Sequence, residues 1–249
     1  ASHPQRVRDG AEAAPAEACG GEGARSLSGR VPWATNLRPA GFVVAVAVEG
    51  EHGPFVAALP SDRPGLARSA DHDLIALRGS NTAALALADV ARVGGDVIAR
   101  DARSWLPRVR PAFLGLQCGM SIGLARAALD AARERVGPAK AVLDAPIAAA
   151  SQALDAATAA LLAAVRDGRF VARAAPLFEL RIRLAEIALQ AAQRELQASG
   201  GRAYHHDAEL GFARRWREAA FLPVVTPSLV QLKAELARPL PGQAPREAA

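Results

Sequence analysis

The period of the apolar positions changes part-way along the chain. Val43 to Val48 reads Val-Val-Ala-Val-Ala-Val between Gly41 and Gly50 and predicts a buried strand. Phe55 to Leu59 predicts a second strand, closed by Pro60, and Leu74–Leu77 and Ala83–Val90 are further short apolar pieces. Residues 29–100 therefore read as β-rich. From Trp105 onward the period is helical. Phe113 to Ala132 is an Ala/Leu-rich helical run. Asp144 can cap a second helix, with Pro146 in its first turn and Gly168 just past its end. Leu177, Leu180, Leu184, Ile187, Ala188 and Ala191 mark one face of a third, which Gly200-Gly201 ends. Asp207 to about Leu222 predicts a helix stopped by Pro223, and 227–237 a short last one.

The predicted fold class is thus α+β: a partial β-barrel or sheet domain over 27–103, then an antiparallel four-helix bundle over 104–238. Residues 1–26 read as a disordered or linker lead-in and 239–249 as a loose tail. No internal repeat is present.

Composition narrows the classes. Half of the 249 residues are apolar, enough for a substantial core. No run of about 18 uncharged apolar residues suggests a membrane span, and no basic segment followed by an apolar core suggests a secretory signal. Cys19 and Cys118 lack metal spacing, so the expected setting is reducing and cytoplasmic. Cys118 sits in an apolar helical pattern and reads as a small core residue, with a catalytic thiol as the other reading. The lone methionine is Met120, so the chain reads as a processed product or, preferably, a piece of a longer one. The net charge of +5 comes from scattered arginines, with lysine only at Lys140 and Lys233. With 4% aromatics there is no stacking platform, and no nucleic-acid partner is expected. His205-His206-Asp207 lacks a third ligand at metal spacing and reads as a solvated loop. No phosphate loop, G-x-S-x-G elbow or HExxH helix appears.

Three segments, in order, resemble the acyl-CoA dehydrogenase family. Leu27 to Asn36 (L-S-G-R-V-P-W-A-T-N), leading into the 43–48 strand, is similar to the family's G-x-x-x-W-x-T-N turn. Leu77 to Leu85, ending at Asp89-Val90, is similar to its R-x-S-x-T strand. Leu196 to Tyr204 (L-Q-A-S-G-G-R-A-Y), followed by Arg217-Glu218-Ala219, is similar to its Q-x-x-G-G-x-G-Y … R-D-A region. The resemblance covers roughly residues 27–237. It implies an FAD oxidoreductase acting on the CH–CH bond of an acyl thioester. It also implies a homo-oligomer and an electron-transfer partner, and the chain's positive charge would not oppose the phosphates of CoA or flavin. By the same resemblance Trp33 and Thr35 line the isoalloxazine ring, while Gln197, Gly200 and Gly201 meet the rest of FAD. The residue-level alternatives are a strand-end core role for Trp33 and an ordinary helix cap for the glycines.

The sequence departs from the family where the reaction needs a base. A carboxylate must take the α-proton while the flavin takes the hydride. Counted from Arg217, the family's glutamate position falls on Thr226, which cannot serve as a general base near neutral pH. The alternative position, early in the first bundle helix, is empty, because no Asp or Glu lies between Asp101 and Asp130. The catalytic residue is therefore unassigned. The flavin loop expected before residue 27, the N-terminal helical domain and the R-x-x-F-G segment are not recognisable, and Arg202-Ala203 replaces a third glycine. Two other readings stay open: a flavin-dependent monooxygenase of the same fold, which needs no such base, and a truncated non-catalytic member serving as an oligomerisation module.

Overall fold

A computed structural model describes residues 16–17, 26–50, 52–205 and 211–238. The tail expected over 239–249, most of the lead-in over 1–26, Cys19, and His206-Asp207 lie outside the described residues. The chain divides into two compact units, 1–107 and 108–249.

The first unit holds two sheets and no closed barrel among the described residues. One sheet has the order β1-β3-β4-β7, formed by Ala16–Glu17, Val43–Glu49, Phe55–Pro60 and Val97–Ala99. The other has the order β2-β6-β5, formed by Ser26–Ala34, Ala83–Ala91 and Leu66–Arg68. Strand β3 alternates strictly: Val44, Val46 and Val48 are buried and the residues between them are exposed. It is thus buried on one face only, as is common in antiparallel sheets. Their apolar faces and those of Leu27, Val31, Leu85, Leu87 and Val90 form one core. The apolar piece 74–77 is a loop and not a strand. Arg78 Nε donates back to Leu74 O at 2.8 Å, and Ile75 is left exposed. Gly65, at φ +86°, lies so close to the backbone of Ala88 that a Cβ would come within 2.1 Å of its carbonyl oxygen.

The second unit is a helical bundle. Helix α1 spans Ala102–Arg135, beginning in the first unit, and α2 spans Lys140–Arg166. After a single turn, α3 (Arg169–Ala172), comes α4 over Ala175–Ser199. Two short helices follow, α5 (Phe212–Phe221) and α6 (Leu229–Leu236), at the places expected for the helix ending near Leu222 and the short last one over 227–237. Pro223 explains the break, since a proline cannot donate the next helical bond. Asp144 and Pro146 lie inside α2, not at its start. Asp144 stands 3.9 Å from Lys140 one turn earlier instead of capping. Arg133 of α1 bonds to Ser151 of α2, and the interface continues from Leu129 to Leu154, so these two helices run antiparallel. Gln117 meets Arg181 and Arg135 meets Glu195, so α1 and α4 run parallel. The shared core includes Leu114, Leu129, Leu154, Leu161, Leu177 and Leu184. By length and composition alone, α1 and the 137–166 segment are apolar enough to cross a membrane. Their helical-period faces instead pack into this core.

Candidate functional site

In the β unit the first two family-like segments meet. Asn36 turns the chain after β2 with φ +62° and donates its N–H to Ser80 O at 2.8 Å. Leu37 N donates to Asn81 O at 3.1 Å, and Leu37 O accepts from Arg68 Nε at 2.7 Å. The facing 77–82 turn is shaped by two left-handed residues, Leu77 and Asn81. Its Ser80 and Thr82 hydroxyls lie 2.6 Å apart, and Thr82 is buried. Trp33 and Thr35 ride on this locked turn. The indole of Trp33 is 47% exposed, so it is not a core residue, and Thr35 is exposed.

His72 joins them, and sequence reading missed it. Its ring stacks on Trp33 with centroids 5.0 Å apart. His72 Nε2 lies 3.1 Å from Pro32 O; a carbonyl only accepts, so this nitrogen donates. Neighbouring Asp71 accepts from Arg68 and from Asn81 Nδ2, and the bond from Arg68 holds its carboxyl below the ordinary value. The Asp-His-Asp run 71–73 is the signal that could have flagged this corner.

In the bundle, Gln197 is exposed near the end of α4, and its Oε1 accepts from Arg194 Nη1 at 3.2 Å. Gly200 ends the helix at φ +57°, ψ −149°, a conformation essentially restricted to glycine. A Cβ at Gly200 or Gly201 would meet nothing within 4 Å. The pair therefore presents bare, open backbone. Behind it Glu195 is fully buried, accepting from Arg135 Nη1 at 2.7 Å and Arg215 Nε at 2.8 Å. The bond to Glu195 raises the Arg215 guanidinium above its ordinary pKa.

Thr226 lies in the α5–α6 turn and is exposed. Ser228 begins α6 with a reciprocal cap: its Oγ accepts from Gln231 N at 3.2 Å, and its N–H donates to Gln231 Oε1 at 2.7 Å. The turn is also tied from below. Gln117 Nε2 donates to Thr226 O at 2.7 Å, and Arg181 Nη2 donates to Leu222 O at 2.8 Å. Cys118 is fully buried beside this network, and burial pushes its thiol up to about 11, which removes the thiolate a nucleophile needs. Glu218 pairs with Arg214 one turn earlier at 3.6 Å. His205 is exposed, and the described residues hold no cluster of three metal-binding side chains. Gln117, Arg181 and Glu195 were not anticipated. Their signal was a polar residue at a buried position of an apolar helical face.

No protein-family model matches the chain. A probable acyl-CoA dehydrogenase, YngJ of Bacillus subtilis (strain 168), is 32% identical over 114 residues, 42% of this chain and 30% of that protein. The acyl-CoA dehydrogenase of Geobacillus kaustophilus superposes with a TM-score of 0.78 at 15% identity, over 90% of this chain and 63% of that one. The fold is that of the acyl-CoA dehydrogenases. A glutaryl-coenzyme A dehydrogenase bound to glutaryl-CoA gives a TM-score of 0.77 at 20% identity, over 90% of this chain and 60% of that one. The resemblance to the acyl-CoA dehydrogenase family thus runs through both the β unit and the bundle. This chain spans less than two thirds of either structure.

Proposed function

We propose that the chain is the later part of an FAD-dependent oxidoreductase of acyl-CoA dehydrogenase type, acting on the CH–CH bond of an acyl thioester. The observation that carries this reading is the Trp33–Asn36 turn: a half-exposed indole and an exposed hydroxyl on backbone locked to the 77–82 turn. A flat aromatic ligand fits such a surface. The open backbone at Gly200 and Gly201, with Gln197 beside it, suits the nucleotide part of an FAD. FAD would supply the hydride acceptor. Trp33 would cover part of its ring, Thr35 would donate a hydrogen bond to it, and Gln197 with the two glycines would hold the remainder. The proposed organisation is a middle β-domain over 27–103 and a C-terminal bundle over 104–238. The proposed setting is a cytoplasmic homo-oligomer that passes electrons to a partner protein.

Thr226 stands where the family's glutamate would stand, and the described turn 222–228 contains no carboxylate. That favours, as a second reading, a monooxygenase of the same fold, since such chemistry needs no base at the α-carbon; a non-catalytic oligomerisation module is the third. The test is anaerobic mixing of the FAD-loaded full-length protein with a panel of acyl-CoAs. Bleaching of the flavin supports dehydrogenation. Bleaching only by an external reductase supports the monooxygenase, and a protein that takes up no FAD overturns both.

A further inference from the structure

Arg181 is the most completely buried cation in the bundle, yet no carboxylate faces it among the described residues. A buried charge without a counterion is costly and persists only where hydrogen bonds replace the lost water. Arg181 spends its bonds on two acceptors. Nε donates to Gln117 Oε1 at 3.1 Å, and Nη2 donates to Leu222 O at 2.8 Å. Burial lowers its pKa, and the group beside it, Cys118, is held neutral. Gln117 is itself buried and passes the contact on, donating from Nε2 to Thr226 O.

The chemistry of this relay is restrictive. Arg181 presents a donor and Thr226 presents a carbonyl, which accepts. The bridging side chain must therefore accept at one end and donate at the other, which an amide does and an ionised carboxylate does not. Together the two side chains grip both ends of the segment 222–226, one at Leu222 and one at Thr226. Short-range backbone bonds also restrain this stretch, among them Val224 N and Val225 N to Phe221 O and Leu229 N to Pro223 O.

We propose that Arg181 and Gln117 are positioning residues: through the relay they fix the backbone of the 222–226 turn and so set how Thr226 is presented to the acyl thioester. The second half of this statement rests on the function proposed above; the first half does not. Gln117→Glu separates positioning from stability. The new carboxylate can pair with Arg181, so the helix pair stays joined, but it cannot make the donation to Thr226 O that the Gln117 amide makes.

The test compares the full-length wild type, Gln117→Glu, Arg181→Met and Arg181→Lys by amide hydrogen exchange. In Gln117→Glu, exchange at Val224, Val225 and Leu229 should rise about tenfold, while the amides of α4 change less than about twofold and the melting temperature does not fall. Arg181→Met should loosen both the turn and α4, and Arg181→Lys, which keeps the charge but on a single donor nitrogen, should lie between it and the wild type. Turn exchange in Gln117→Glu equal to wild type, or rising only in step with the whole bundle, overturns the positioning role. A second readout addresses presentation. In the FAD-loaded proteins, the hexanoyl-CoA concentration that half-perturbs the flavin spectrum should rise about tenfold in Gln117→Glu, with FAD affinity unchanged. An unchanged midpoint despite a loosened turn overturns presentation. A wild type that binds no flavin contradicts the proposed function, and the exchange comparison still decides the clamp.

Discussion

Two turns carry the residues of interest, and they are held in opposite ways. The Trp33–Asn36 turn of the β unit is fastened mainly by main-chain bonds, from Asn36 N and Leu37 N to the carbonyls of Ser80 and Asn81. The 222–226 turn of the bundle is fastened from beneath by buried side chains, Gln117 from 109 residues away and Arg181 from 41. Main-chain fastening tolerates a changed side chain, because the donors and acceptors survive the substitution. Side-chain fastening does not, because each deletion strands a buried partner. The β unit should therefore absorb mutations that the bundle's polar interior cannot.

The sharpest contrast is expected at Glu195. Glu195→Ala leaves Arg135 and Arg215 facing a vacated carboxylate site and should cost about 3–5 kcal/mol, read by urea unfolding of the bundle signal. A loss below about 1 kcal/mol would erase the distinction between the two units.

The next effect is a pH dependence centred on Cys118, whose thiol is raised to about 11 in the fold. A folded pKa above the unfolded one means stability that is whole below about pH 9 and lost as the pH rises towards 11. The loss should approach roughly 2 kcal/mol by the top of that window and be missing in Cys118→Ala. Asp71 acts in the opposite sense. Its pKa is lowered, chiefly by the bond from Arg68, so its contribution is present above the ordinary value of 3.8 and fades as the pH falls below it.

Thr82→Val should cost about 1 kcal/mol, because the buried hydroxyl bond to Ser80 disappears while the main-chain bonds of the turn remain. The smallest effect on folding is expected at Trp33. Trp33→Ala removes a half-exposed ring and its stacking on His72, and should shift stability by no more than about 1 kcal/mol. A loss of several kcal/mol would mark Trp33 as part of the core and remove the main support for its role as a ligand surface.

The same division explains what the sequence revealed. Strands β3 and β4 and the helix faces were legible because apolar period and local packing agree there. The end of α4 was legible because Gly200 adopts a backbone conformation that only glycine tolerates. The loop at 74–77 was misread, since an apolar run says nothing about whether its neighbours pair with it. Asp144 was misread as a cap because α2 starts a turn earlier, after the 137–139 turn that Gly137 opens with φ +37°. Gln117, Arg181 and Glu195 were invisible for a different reason. Each is a polar residue on an apolar face, and its partners lie on other helices, so no local pattern announces it. His72 became visible only when the loop brought it onto Trp33.

The proposed function requires that this chain's exposed turn and open glycines serve a flavin. The most direct measurement is an equilibrium FAD titration of the full-length protein, alone and with Trp33→Ala and Gly201→Val. Saturable binding at one FAD per chain, weakened at least about tenfold by each substitution while the variants stay folded, is the result expected. Absence of saturable binding in the wild type, or binding that both substitutions leave unchanged, would contradict it.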